Sequence, residues 1–120
     1  MTTLIIDAAN VVGSRPDGWW KDRAGAARRL HEQLLVADLP YDDVVLVLEG
    51  QAKAGVKAGR DGHLRTVHAK GAGDETIVEQ ARAAAQQGRT VVVTADRMLQ
   101  ARIGGVGAEA LRPSWLLDQL

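Results

Sequence analysis

The sequence predicts one α/β domain in which a mostly parallel, open sheet lies between two layers of helices. Four short runs rich in Val, Ile and Leu alternate with segments that have helical spacing of apolar residues. The runs are nearly continuous in apolar residues, which is typical of strands covered on both faces. The length of 120 residues suits one domain, so we assign residues 1–120 to a single three-layer α/β/α unit.

Each predicted strand is a short run rich in β-branched residues. The four runs are Leu4–Ile6, Val44–Leu48, Arg65–His68 and Thr90–Thr94. Their order in the sheet is not predicted, because hydrophobic patterns carry no pairing information. The longest stretch without periodicity is 50–62, which holds four of the 13 glycines, and we expect a mobile loop there.

Three segments place apolar residues at three- and four-residue steps, which indicates one face of a helix. They run from Trp20 to Leu35, from Ile77 to Ala85 with Gly88 after it, and from Met98 to Ile103 before Gly104–Gly105, and a last short helix is predicted at Pro113–Leu117. Trp20 is in register with the first apolar face, so we expect it in the core. Trp19 is then the better candidate for stacking on a base.

The composition excludes several classes of protein. Fifteen basic and 15 acidic side chains give a net charge of zero, which argues against a strongly cationic nucleic-acid coat protein. The absence of cysteine excludes disulfides, thiolate metal sites and thiol catalysis. No apolar run approaches the roughly 20 residues that cross a bilayer, and the first seven residues lack the basic start of a signal peptide. We therefore expect a cytoplasmic protein without a membrane partner.

Acidic residues follow the predicted strands at one edge of the sheet. Asp7 ends the first strand, Glu49 follows the second, Asp74 opens the helix after the third, and Asp96 follows the fourth. Ligands of open α/β sheets bind outside the carboxyl ends of the strands, so we expect these acids to share a site. Singly, Asp74 and Asp96 also suit helix N-caps, and Glu49 suits a solvated loop. Together they would repel one another unless a cation compensates, and an oxygen-only ligand set favours Mg²⁺ or Mn²⁺.

Other chemistries have weaker support. Residues 50–57 resemble a phosphate-binding loop but lack its Gly-Lys-Ser/Thr ending, and 105–110 resemble a dinucleotide fingerprint but follow a helix. The three histidines lack metal-ligand spacing, and there is no Gly-x-Ser-x-Gly motif of a serine hydrolase.

Four short motifs, in this order, resemble the NYN domain, a branch of the PIN-like nuclease superfamily. They are Leu4–Asn10, Val47–Gly50, Gly73–Glu79 and Thr94–Arg97, and the resemblance spans residues 3–104. It implies a PIN-like α/β sheet whose acidic cluster holds one or two divalent metals and cleaves RNA. Carried over by position, the resemblance makes Asp7, Asp74 and Asp96 metal ligands and catalytic residues. Glu49 stands where many members have Asp, so its arm is one methylene longer.

Basic residues beside this edge favour a phosphate substrate. Residues 51–70 contain five basic side chains against one acid, Asp61. We therefore predict a Mg²⁺- or Mn²⁺-dependent ribonuclease with RNA as its partner. The predicted catalytic residues are Asp7, Asp74, Asp96 and Glu49. The predicted substrate contacts are Asn10, Lys53, Lys57, Arg60, Lys70, Thr94 and Arg97. Glu75 and Glu79 are predicted to support the metal ligands from outside.

Alternatives stay open at this point. The same acids would serve a metal-dependent phosphatase or nucleotide hydrolase, and the fold would also serve a non-catalytic RNA-binding module. A receiver-type interaction module is disfavoured, because Asp7 is followed by Ala8 and Ala9 and lacks an acidic neighbour. A homodimer through Trp115–Leu117, or a protein complex that recruits the domain, are two further possibilities.

Overall fold

A computed structural model describes residues 1–120 as a six-stranded sheet with helices on both faces. The sheet order is β3-β4-β2-β1-β5-β6, and every pair is parallel except β3 with β4. This confirms the predicted mostly parallel α/β class. The strands are β1 (Thr3–Asp7), β2 (Asp43–Leu48), β3 (Gly59–Asp61), β4 (Leu64–His68), β5 (Thr90–Val93) and β6 (Glu109–Leu111), and the helices are α1 (Ala8–Gly13), α2 (Arg23–Val36), α3 (Gly73–Ala85), α4 (Arg97–Gly104) and α5 (Pro113–Leu117), with 3-10 helices at Trp19–Lys21 and Gly50–Gly55.

The central strands are buried on both faces, as their continuous apolar sequences require. Every residue of β1, β2 and β5 is buried. Helices α1, α2 and α5 cover one face, where Leu30, Leu34 and Leu116 are fully buried in one apolar cluster. Helices α3 and α4 cover the other face through Ile77 and Ile103. The sheet therefore separates two cores, which is the predicted three-layer arrangement.

The path of the chain creates a crevice beside β1. From β1 it passes through α1 and α2 to β2 and then to β4, on one side of β1. It then returns through α3 on the opposite face and enters β5, on the other side of β1. Such a reversal leaves a crevice between the carboxyl ends of the two strands, where open α/β sheets bind their ligands. Here Asp7 ends β1, and Thr94–Asp96 follow β5.

The prediction of a mobile loop over 50–62 is wrong. This segment forms the 3-10 helix Gly50–Gly55, which packs on α2, and then β3, which pairs with β4 in a hairpin. Gly55 permits the close packing, because a Cβ there would collide with the carbonyl group of Ala24. The order comes from contacts with distant backbone, and such contacts leave no periodicity in the local sequence.

Two other details differ from the sequence predictions. Trp20 is 57% exposed, because it lies in the 3-10 helix before α2 and Asp22 caps α2 after it, so the apolar register of α2 does not extend back to it. The short elements α1 and β6 were not predicted. The Trp115–Leu117 end, proposed above for a homodimer, packs on the chain's own core with Leu116 fully buried. None of the helices is long and apolar enough to span a membrane.

Candidate active site

Asp7 is the most enclosed carboxylate at the crevice. It ends β1 and caps α1, and only 9% of its surface is exposed. Its Oδ1 accepts a hydrogen bond from the backbone N–H of Asn10 at 3.3 Å, and its Oδ2 accepts one from the hydroxyl of Thr94 at 2.9 Å. The side chain is thus fixed from two directions by neutral donors.

The segment after β5 is bound to the end of β1. The side-chain oxygen of Asn10 accepts the backbone N–H of Ala95 at 2.8 Å, and the backbone N–H of Asp96 donates to Thr94 Oγ1 at 3.1 Å. Oδ1 of Asp96 accepts hydrogen bonds from the backbone N–H groups of Met98 and Leu99 in the first turn of α4, so Asp96 is the predicted N-cap. The cap uses one carboxylate oxygen, and Oδ2 makes no hydrogen bond.

Glu49 is held by the start of α3. Its Oε2 accepts the backbone N–H of Gly73 at 2.8 Å. A Cβ at Gly73 would lie 3.2 Å from the Glu49 carboxyl carbon, so glycine leaves room for this contact. Asp74 follows inside α3, and the cap position is Ala72, so the alternative of Asp74 as an N-cap is wrong. The α3 N-terminus, which favours negative charge, therefore carries Asp74 and binds Glu49.

Arg102 is a counter-charge that the sequence reasoning missed. Its guanidinium lies 3.4 Å from Asp74 Oδ2 and 2.8 Å from Glu75 Oε1. Arg102 lies on α4, and its two acidic partners lie on α3, 27 and 28 residues earlier in the chain. A local sequence pattern cannot indicate an ion pair between residues so far apart. Glu75 is consequently engaged in an exposed ion pair.

The four acids predicted to meet do line one cleft. Its volume is about 320 Å³, and its walls are Asp7, Ala9, Asn10, Glu49, Gly73, Asp74, Asp96 and Leu99. Burial raises the pKa of the Asp7 carboxyl above its ordinary value, and the charges of Glu49 and Asp96 add to the increase, while the hydrogen bonds from Thr94 and Asn10 oppose it. The cleft thus concentrates negative charge around a buried carboxylate that has no cationic partner.

The donor chemistry of the cleft fits a hard divalent cation. No group of three or more acidic or imidazole side chains is placed so that it could hold a metal ion. Mg²⁺ does not require such a group, because it keeps several waters and binds through one or two carboxylates plus phosphate oxygens of a substrate. Asp96 and Glu49 each have one carboxylate oxygen without a hydrogen bond. All the side-chain atoms of the cleft that could bind a cation are carboxylate or amide oxygens. The residues are therefore suitable for this class of ion.

The predicted substrate-binding residues have different environments. Thr94 is buried and orients Asp7, whereas Lys57, Lys70 and Arg97 are exposed and free of hydrogen bonds within the chain. Lys53 donates to the carbonyl oxygen of Ala69 at 3.0 Å.

Two of the predicted residues lie away from the cleft. Arg60 pairs with Asp43 at the amino end of β2, away from Glu49 at the other end of the same strand. Glu79 is exposed on α3 and is not part of the cleft wall.

Comparison with known proteins supports the fold. No protein-family model matches the sequence, and no curated protein is similar to it. A tryptophan-to-leucine variant of Rae1 (YacP) from Bacillus subtilis has a similar crystal structure, with a TM-score of 0.75 and 20% identity over 98% of this chain and 74% of that one. Another Rae1 structure gives a TM-score of 0.69 and 21% identity over 98% and 72% of the two chains. These likenesses show a shared fold, consistent with the PIN-like sheet that the motif resemblance implies.

Proposed function

We propose that this chain is a metal-dependent ribonuclease that hydrolyses phosphodiester bonds in the acidic cleft. The observation that carries the proposal is the environment of Asp7, a buried carboxylate with acidic neighbours and no cationic partner. Uncompensated charge of this kind reduces stability and is retained at sites where a bound cation compensates it. The position at the crevice between β1 and β5 gives independent support.

The roles of the side chains follow from their contacts. Asp7, Asp74 and Asp96 would hold the cation, with Asp7 kept in position by Thr94 and Asn10. A divalent ion at such a site polarises a phosphoryl oxygen and lowers the pKa of bound water. Glu49, held through Oε2, has Oε1 available to orient a water molecule for attack.

The substrate class rests on the motif resemblance and on local charge. Net charge is zero, but binding of nucleic acid depends on local neutralisation of phosphates. Two lysines belong to or contact the segment that leads into the cleft wall at Gly73. Lys53 donates to the carbonyl oxygen of Ala69, and Lys70 follows Ala69 in the chain. RNA is thus the proposed partner, with Mg²⁺ or Mn²⁺ as cofactor.

A cleavage assay tests the proposal. Labelled single-stranded RNA, DNA of the same sequence and a nucleoside triphosphate are each incubated with Mg²⁺, Mn²⁺ or chelator. We expect RNA products only with metal, and Asp7→Asn should lower the rate by about a hundredfold or more, as when a group that stabilises transition-state charge is removed. Asp43→Asn, which changes an equally buried carboxylate outside the cleft, is the matched control and should retain the rate.

The other outcomes identify other functions. Hydrolysis of the triphosphate alone would indicate a nucleotide hydrolase, and RNA that is bound but never cut would indicate a non-catalytic binding module. Products that persist with chelator and with Asp7→Asn would come from a contaminating ribonuclease.

A further inference from the structure

An apolar pocket of about 390 Å³ opens beside the acidic cleft. It shares Ala9 and Glu49 with the cleft, so the two adjoin. Most of the aliphatic wall comes from α1, α2 and the 3-10 helix Gly50–Gly55, and Ala72 before α3 adds to it. The aliphatic residues are Ala8, Ala9, Val12, Ala27, Ala52 and Ala72. An apolar recess next to a cluster of carboxylates indicates that the ligand has one apolar part and one part that meets the acids through a cation.

A stacked pair of planar groups completes the wall. The guanidinium carbon of Arg23 lies 4.9 Å from the centre of the Trp19 ring. Trp20 lies edge-on to Trp19, with ring centres 5.9 Å apart, but is itself outside the pocket wall. Trp19 is only partly buried although it is the largest apolar side chain of the pocket. Aromatic rings and guanidinium planes are surfaces on which proteins stack unpaired bases.

We propose that this pocket binds one unpaired base of the RNA chain whose phosphate lies in the acidic cleft. The inference rests on the proposed ribonuclease function and adds the form of the substrate to it. A base has two apolar faces, which suit the alanine walls and Trp19, and a polar edge, which suits the Gln51 amide at the pocket wall. The positive charge of Arg23 also suits the adjoining phosphate chain.

The substrate must then be single-stranded at this position. A base inside a duplex is stacked and paired, and it reaches a side pocket only after it has been extruded from the helix. The protein therefore selects single strands or loops, and one nucleotide position near the cut contributes more to cleavage than its neighbours do.

Two variants remove the pocket in different ways. Trp19→Ala deletes the stacking surface, while Gly71→Leu fills the recess. Gly71 lines the pocket, its φ is not in the left-handed region, and a Cβ there meets nothing within 4 Å, so a side chain can start there without backbone strain or a clash at Cβ. Trp20→Ala is the matched control, because Trp20 is exposed and outside the pocket wall. Trp19→Phe should restore most of the function, since it keeps an aromatic face.

The measurement uses a short single-stranded RNA and a series in which each nucleotide in turn is abasic. We expect the abasic change at one position to lower kcat/KM about tenfold or more, and Trp19→Ala and Gly71→Leu to lower it similarly on the intact RNA. On the RNA that is abasic at that position, the two variants should cause no further loss. Equal sensitivity at every position, or full activity of both variants, would overturn the proposal.

A binding measurement separates this inference from the proposed function. Quenching of tryptophan fluorescence by the same RNAs in chelator requires no cleavage, and it should disappear in Trp19→Ala but persist in Trp20→Ala. Quenching that depends on the one base, in a protein that never cuts RNA, would support the pocket and reject the ribonuclease. Cleavage without any dependence on Trp19 or Gly71 would do the reverse. A free mononucleotide that binds as tightly as the RNA would assign the pocket to nucleotides and overturn the inference.

Discussion

Two buried carboxylates on neighbouring strands have opposite electrostatic environments. Asp7 at the carboxyl end of β1 is 9% exposed, and Asp43 at the amino end of β2 is 8% exposed. Asp43 forms an ion pair with Arg60 at 2.9 Å. Asp7 accepts hydrogen bonds only from the neutral Asn10 N–H and Thr94 hydroxyl groups, and its charged neighbours are other acids.

The difference distinguishes a structural carboxylate from a functional one. A buried charge reduces stability unless it is paired, and a cation on the same chain provides the simplest pair, as at Asp43. At Asp7 the chain provides acids instead, so the ionised form is disfavoured and a cation from outside would relieve the repulsion. The pairing partner of a buried acid, more than its burial, therefore indicates its role.

The largest expected effect is the thermal response to metal. Mg²⁺ or Mn²⁺ should raise the melting temperature of the wild-type protein, because a ligand that binds only the native state stabilises it, by about 2.7 kcal/mol at a hundred times Kd. Asp7→Asn combined with Asp96→Asn should abolish the shift, while Asp43→Asn should keep it. Differential scanning fluorimetry with chelator as reference measures all three proteins. A double variant that still responds fully to metal would contradict the site.

The second prediction concerns the melting temperature without metal, which Asp7→Asn and Asp43→Asn should change in opposite directions. Asp7 has a raised pKa in the folded state, so its ionisation destabilises the fold once the pH exceeds the unfolded value of 3.8, and the cost is complete above the folded pKa. Asp7→Asn should therefore raise the metal-free melting temperature at pH 7, because it removes the ionisation that destabilises the fold. Asn can still cap α1 through its oxygen.

Asp43→Asn should lower the same melting temperature, because it removes the charge that pairs with Arg60. Arg60 is half exposed, so solvent screens the pair and the loss should be only about 1 kcal/mol.

The gain from Asp7→Asn should shrink as the pH falls towards 3.8, where Asp7 itself becomes protonated. Destabilisation by both variants at pH 7 would remove the contrast between the two acids.

The sequence predicts the cluster of acids around Asp7 well, but it does not predict the pairing of Asp43 with Arg60. The acids of the cleft each follow a strand or open a helix, so a parallel topology suffices to bring Asp7, Glu49 and Asp96 together. The pairing of Arg60 with Asp43 depends on the β3–β4 hairpin at the sheet edge, which has no periodic signal. Arg102 and the pocket beside Trp19 likewise arise from packing between elements far apart in the chain, so only the folded structure reveals them.

The smallest expected effect distinguishes basic residues near the cleft from Arg60. Lys70 precedes Gly71 of the pocket wall, and Lys53 donates to the carbonyl oxygen of Ala69. Arg60 instead pairs with Asp43 at the opposite end of β2, about 20 Å along the strand direction from Glu49. Lys53→Gln and Lys70→Gln should each reduce the slope of log affinity against log salt by about one, similarly for all RNA sequences, because phosphate contacts carry no base information. Arg60→Gln should change the slope less, since its charge already neutralises Asp43.

The measurement is RNA binding in chelator at several salt concentrations. Equal slopes for the wild type and both lysine variants would assign Lys53 and Lys70 to bulk solvent, and a large change in Arg60→Gln would place RNA at the Asp43 end of the sheet as well.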